Sequence, residues 1–229
     1  MKLLLIDGNA ILYRAFHAYP LLTNPKGEYV NAVYGFFTML FLVLAEQKPE
    51  YLVVCFDKSA PTIRQSMYAG YHENRQAPPD ELISQMKLIR ELLRTMKVDI
   101  FELDGYEGDD LIGTIATMAV ARIAPDAGPV SRHPTSTSSV ASAPSGRSSG
   151  DPTTATHSLD EKDLEVVILT GDRDLLQLVN SQVKVMMPLT GITKTVIYDE
   201  AAVEEKYGVH PRQFVDYKAL IGDLSDGYQ

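Results

Sequence analysis

The chain has very little cysteine: Cys55 is the only one in 229 residues, so no disulfide can form within it. A lone thiol inside an apolar run fits a reducing compartment and a packing role. Long hydrophobic runs are also missing. The apolar opening from Met1 to Ile6 stops at Asp7, with no small-residue cleavage site after it, which excludes a signal peptide. The longest apolar stretch, Phe36 to Ala45, is shorter than the ~20 residues that span a bilayer. These absences predict a soluble, cytoplasmic protein with no membrane partner. Cations are scarce as well: 21 Lys and Arg stand against 30 Asp and Glu, a net charge of −9. Taken alone, that balance argues against nucleic acid, whose phosphates are bound by Lys and Arg. However, nine of the acids (Asp7, Asp57, Glu107, Asp109, Asp110, Asp172, Asp174, Asp223 and Asp226) can be read as one cluster. Without them the chain is neutral, and bound divalent metal would change the local sign.

What is present is alternation. Lys2–Ile6, Tyr51–Phe56, Val98–Leu103 and Glu165–Leu169 read as strands buried on both faces, with Val183–Met187 and Thr195–Tyr198 as further strands. Helical patterns cover Ala32–Gln47, Pro79–Met96, Gly108–Ile123, Asp172–Val179 and Asp199–Tyr207. This order predicts one α/β domain over residues 1–229, a three-layer fold whose mostly parallel central sheet carries helices on both faces. Residues 125–160 break the pattern. They are dominated by Ser, Thr, Pro, Ala and Gly, cannot bury enough surface to offset ordering, and read as a disordered, tolerated insertion. The aromatic run Tyr34, Phe36, Phe37 and Phe41 reads as a core helix face, and Met186 and Met187 as core filling. His17 reads as packed or capped, while His133 and His157 are too isolated for a metal site.

Almost every strand ends in an acid. Asp7 follows the first, Asp57 the second, Glu107, Asp109 and Asp110 come just after the third, and Asp172 and Asp174 follow the fourth. In an open parallel sheet the carboxyl ends of the strands share one edge, so acids far apart in sequence converge there. A lone Asp after a strand is most often a turn residue or helix N-cap, and acids suit the first turn of a helix anyway. The complete set at several strand ends tips the balance toward metal. Convergent carboxylates repel and need a positive partner. Few Lys or Arg lie beside them in sequence, Arg173 being the nearest. Oxygen-only ligands favour Mg²⁺ or Mn²⁺, and their number suggests two ions able to stabilise both oxygens of a phosphodiester displacement. A Mg²⁺-dependent phosphatase of small substrates would share these acids, but Asp7-Gly8-Asn9 lacks the second acid such enzymes carry two residues on.

The motifs Leu5-Ile6-Asp7-Gly8-Asn9-Ala10, Tyr13-Arg14-Ala15-Phe16-His17-Ala18, Ala32-Val33-Tyr34-Gly35-Phe36, Gly105 to Gly113, Thr170 to Val179 and Lys218 to Asp223 resemble the 5′-nuclease domain of bacterial-type DNA polymerase I, within the PIN-like (Rossmann-like) superfamily. The resemblance covers nearly the whole chain outside the insertion. It implies a 5′→3′ exonuclease and flap endonuclease that hydrolyses DNA phosphodiesters with two metal ions, leaving a 5′-phosphate and a 3′-hydroxyl. By matching motif, Asp7, Asp57, Glu107, Asp109 and Asp110 would surround the first ion, and Asp172, Asp174, Asp223 and Asp226 would serve the second. An arch over roughly residues 59–76 would pass the 5′ end, with Arg64, Tyr71 and Arg75 on phosphates. Arg suits that task because its planar fork pairs with phosphate oxygens and stays charged. Without the resemblance, Arg64 and Arg75 read as a solvated helix face.

The chain departs from the family pattern in two places. After Gly222-Asp223 the family continues into glycine-rich helical hairpins that grip the duplex, whereas this sequence reads on to Gln229 and stops. The chain then reads as a fragment of a longer protein, a frameshifted product, or a domain for which a polymerase or another chain supplies the missing element. It also opens an alternative, an inactive nuclease fold that only binds metal or single-stranded DNA. In addition, His72 stands where the family has Lys, so a permanent cation is replaced by a mostly neutral imidazole. His72→Lys is therefore expected to raise the rate of DNA cleavage and to flatten its pH dependence between about pH 6 and 8, near the histidine pKa. An unchanged rate would remove His72 from the account.

Overall fold

The computed structural model describes residues 1–58, 61–67, 71, 77–121, 164–189, 191 and 193–222. The expected insertion at 125–160, with His133 and His157, lies outside the described residues, as do His72, Arg75, Asp223 and Asp226. Six strands form one sheet: β1 Lys2–Asp7, β2 Tyr51–Cys55, β3 Asp99–Phe101, β4 Glu165–Leu169, β5 Val183–Pro188 and β6 Thr195–Tyr198. Their spatial order is β3-β2-β1-β4-β5-β6, with β6 antiparallel to β5 and every other pair parallel. The chain moves outward from β1 to β3 and then returns to the opposite side of β1. The order therefore reverses between β1 and β4, the position where open α/β sheets hold ligands.

Alternation along β1 feeds two cores. Leu4 and Ile6 join Phe36, Leu40, Val54 and Ile89 on one face, against α1 Gly8–Ala18, α2 Asn31–Gln47 and α4 Asp80–Thr95, which follows the short α3 Ile63–Met67 in sequence. Leu3 and Leu5 join Ile112, Leu176, Val203 and Phe214 on the other, against α5 Gly108–Ala121, α6 Glu200–Tyr207 and α7 Phe214–Ile221. Each fully buried Leu or Ile contributes roughly 1.5–3 kcal/mol, so β1 is fixed from both sides. No helix among the described residues is long and apolar enough to cross a membrane.

Several boundaries differ from the sequence reading for physical reasons. The third strand is only Asp99–Phe101, and Leu103 is exposed because β3 is an edge strand with one neighbour. The stretch Asp172–Val179 is a short 3₁₀ segment, Asp174–Leu178, rather than an α-helix. Of the aromatic run, Phe36 is buried, but Tyr34 and Phe41 are more than half exposed: the run takes in positions from opposite faces of α2. His17 is exposed, its ring meeting Phe16 edge-on at 5.2 Å. α2 has no side-chain cap of its own. Buried Gln85 from α4 supplies one, accepting from Ala32 N at 2.7 Å while donating to Asn31 Oδ1 at 3.0 Å.

One close approach positions the first helix. A Cβ on Gly8 would lie 2.4 Å from the Phe56 ring. That ring is fully buried, stacks on Phe36 and carries the Arg90 guanidinium 4.1 Å from its centroid, so it has little room to yield. Gly8→Ala is expected to lower unfolding free energy by about 1–3 kcal/mol, the range for overpacking a tight core, as read by urea denaturation. An unchanged midpoint would mean that Phe56 moves freely.

Candidate metal centre

Five acids line one cleft of about 350 Å³ at the carboxyl edge of the sheet: Asp7, Asp57, Glu107, Asp109 and Asp172, with Asn9, Ala10 and Tyr13 completing the wall. Asp7 ends β1, Asp57 follows β2, Glu107 and Asp109 open α5, and Asp172 follows β4. The strand ends thus bring together acids from four separate parts of the chain. The carboxylates surround the cleft without meeting at one point. Among the described residues, no group of three or more His, Cys, Asp or Glu side chains is gathered as a ready-made metal site. Repulsion between uncompensated charges favours that spacing.

Asp7 is only 5% exposed. Its Oδ1 accepts from Ala10 N at 2.9 Å, so it is also the N-cap of α1, and its Oδ2 accepts from Thr170 Oγ1 at 2.7 Å. Asp57 is held at both oxygens, by Asn9 Nδ2 at 2.6 Å and by Gly108 N at 2.7 Å. A Cβ on Gly108 would sit 3.2 Å from Asp57 Oδ1, which explains the glycine between two acids. Asp172 Oδ1 accepts from Asp174 N at 2.8 Å. Each of these donors, a backbone amide, the Asn9 amide or the Thr170 hydroxyl, is neutral and leaves the charge of its carboxylate in place.

The two deepest acids are shifted upward, first by burial and then by their neighbours' charge. Burial pushes Asp7 up to about 6, with Asp57 and Asp172 adding to the rise against the lowering pull of its hydrogen bonds. Burial, then the fields of Asp7, Asp172, Asp57 and Glu107, pushes Asp109 up to about 9. The Asp109 carboxylate has no hydrogen bond or ion pair to any described residue, and Glu107 Oε1 is buried without a hydrogen-bond partner among them. Unsatisfied oxygens of this kind are costly in a folded protein and fit a hard cation. Cys55, behind the cleft, is buried and pushed up to about 12, an inert packing thiol.

The remaining predicted residues divide. Asp110 lies outside the cleft wall and is gripped by Arg64, with Nη1 at 2.8 Å from Oδ2 and Nη2 at 2.6 Å from Oδ1. Arg64 Nη1 also donates to Glu107 Oε2 at 2.9 Å, as does the Tyr71 hydroxyl at 2.9 Å. This guanidinium holds Asp110 below the usual carboxylate range. Asp174 is likewise not on the wall and pairs with Lys218 of α7 at 2.8 Å. Arg173, the nearest cation in sequence, is exposed, and among the described residues the counter-ions are Arg64 and Lys218, each more than 40 residues away along the chain. Asn9, Thr170, Tyr13 and Lys218 have roles that the sequence reading did not assign. Asn9, Tyr13 and Thr170 lie inside the quoted motifs, but as neutral residues they gave no electrostatic signal.

The raised acids make stability depend on pH. Their protonated forms are favoured in the fold, so this contribution is complete below about pH 4, the ordinary Asp value, and is lost as pH rises through 6 toward 9. In EDTA the melting temperature is expected to fall between pH 5 and pH 9. Mg²⁺ should raise it more at pH 9 than at pH 5, and Asp109→Asn should flatten the profile. A flat wild-type profile would show that the cleft carries no such repulsion.

A family model described as 5′-3′ exonuclease, N-terminal resolvase-like domain, matches residues 2–126 and 152–208. DNA polymerase I of Bacillus caldotenax is 40% identical over 225 residues, covering 98% of this chain and 21% of that protein. DNA polymerase I of Bacillus subtilis is 38% identical over 226 residues, again 98% and 21%. The chain therefore spans about a fifth of the length of these relatives. Among solved structures, bacteriophage T5 5′-exonuclease with bound divalent metal (zinc) ions superposes with a TM-score of 0.65 at 18% identity, covering 99% of this chain and 69% of that one. A bacteriophage T5 flap endonuclease pseudo-enzyme-product complex with DNA and metal ions gives 0.65 at 18%, covering 99% and 68%. The structural likeness establishes the PIN-like fold, and the sequence match places the chain in the 5′-3′ exonuclease N-terminal resolvase-like domain family.

Proposed function

We propose that this chain is a divalent-metal-dependent 5′-nuclease domain that hydrolyses DNA phosphodiesters at 5′ ends or flaps. The observation that carries the reading is the five-carboxylate cleft whose deepest open acid, Asp109, has no counter-charge among the described residues. The names of the polymerase relatives and of the phage structures with DNA and metal ions support it.

Mg²⁺ or Mn²⁺, as two ions, fits this donor set. Asp7, Asp57, Glu107, Asp109 and Asp172 would hold one side; Asp174, with Asp223 and Asp226 from the resemblance, would hold the other. When bound, such ions neutralise the phosphoryl oxygens and lower the pKa of coordinated water. The chain's own residues do the positioning. Asn9, Gly108 and Thr170 orient Asp57 and Asp7 without cancelling their charge, and Glu107 presents an open Oε1 while its Oε2 is tied to Arg64 and Tyr71. Arg64 and Tyr71 meet Glu107 at the edge of the cleft, where an incoming phosphate competes with the carboxylates for the guanidinium. Arg75 and His72 complete the DNA contacts in this reading on the strength of the resemblance. An acidic cleft without metal repels DNA, so DNA binding should itself require the ions.

The test is cleavage of 5′-labelled flap DNA. Cutting is expected with Mg²⁺ or Mn²⁺, none with EDTA, and a loss of more than about 100-fold in Asp109→Asn, since outer-shell changes alone cost 10–100-fold. Failure to cut at high enzyme and DNA concentrations, with DNA binding retained, would leave a binding module and overturn the enzyme.

A further inference from the structure

We propose that Thr170 is a positioning residue of the metal site: its hydroxyl fixes the orientation of Asp7 and ties it to the Asp172 loop. This deepens the nuclease reading above and rests on it.

Thr170 is fully buried and directly follows β4. Its Oγ1 makes two contacts of opposite sense. Asp172 N donates to it at 2.9 Å, and it stands 2.7 Å from Asp7 Oδ2. A hydroxyl has one proton and two lone pairs. The amide can only donate, so it occupies a lone pair, and the single proton is left to point at the carboxylate. The rotor is thereby set as a donor to ionised Asp7. The contact to Asp172 N is a local turn that many Thr residues make. The contact to Asp7 spans 163 residues and joins β1 to β4, and turn formation does not require it.

With Ala10 N on Oδ1 and Thr170 on Oδ2, Asp7 is held at both oxygens by neutral donors. No described cation pairs with it, so its charge stays available to the cleft. The same hydroxyl fixes the backbone of Asp172, whose side chain also lines the cleft. One hydroxyl therefore sets the spacing of two proposed ligands that arrive on different strands. Outer-shell hydrogen bonds of this kind typically govern metal affinity by 10–100-fold.

The test is Mn²⁺ binding to the DNA-free chain by calorimetry or electron paramagnetic resonance, with circular dichroism melts in EDTA alongside. Thr170→Val, or Thr170→Ala if the valine variant does not fold, is expected to weaken Mn²⁺ binding by tenfold or more, and Thr170→Ser to restore it to within about threefold, since serine keeps both hydrogen bonds. In an Asp7→Asn background the Thr170→Val loss should largely disappear, because the residue acts through Asp7. Equal binding by wild type and Thr170→Val would overturn the proposal. So would a loss that serine does not rescue, or one that persists undiminished in Asp7→Asn, since either would indicate a merely structural role. A wild-type chain that binds no Mn²⁺ would instead overturn the metal-site reading and this proposal with it.

Discussion

Repulsion among five carboxylates around one cleft is the constraint on which the rest of the structure depends. Left in water, these side chains would separate. They stay together because β1, β2 and β4 are buried on both faces and deliver their carboxyl ends to a common edge. The register makes this concrete: Asp7 is level with Cys55 on one side, and Ile6 with Leu169 on the other, so the acids follow within two or three residues of paired positions. Hydrophobic burial in two layers supplies the stiffness, and Asp7 and Asp109 are raised first by their own burial and then by the neighbouring carboxylates.

The second constraint is that the strain must be contained without being neutralised. The interior acids are braced by uncharged donors drawn from other motifs: Asn9 and Gly108 hold Asp57, and Thr170 holds Asp7. Among the described residues the cations sit at the margin, where Arg64 takes Asp110 and one oxygen of Glu107, and Lys218 takes Asp174. A cation inside the cleft would satisfy the carboxylates permanently and leave no charge for a metal ion.

Much of this was legible in the sequence because it depends on short-range patterns. Continuous apolar runs gave all six strands to within a few residues, and the acids after the first four gave the five carboxylates of the cleft wall. Long-range pairing was hidden. Nothing near Asp110 in sequence announces Arg64, 46 residues away, and nothing near Asp174 announces Lys218. Adjacent acids also part company: one helical step of about 100° turns Asp109 into the cleft and Asp110 toward Arg64, a distinction that composition cannot make. The cap expected of a lone Asp after a strand and a place on the cleft wall coexist at Asp7. Neutral residues such as Thr170 and Gln85 acquire their roles only through partners on distant elements.

The central claim is that the cleft exists to hold divalent cations, and anomalous diffraction from crystals soaked in Mn²⁺ tests it most directly. The account predicts density bounded by Asp109, the open oxygen of Glu107, Asp7, Asp57 and Asp172, with the Arg64–Asp110 pair at its edge. A cleft without anomalous density at millimolar Mn²⁺, or ions bound only at scattered surface acids, would contradict it.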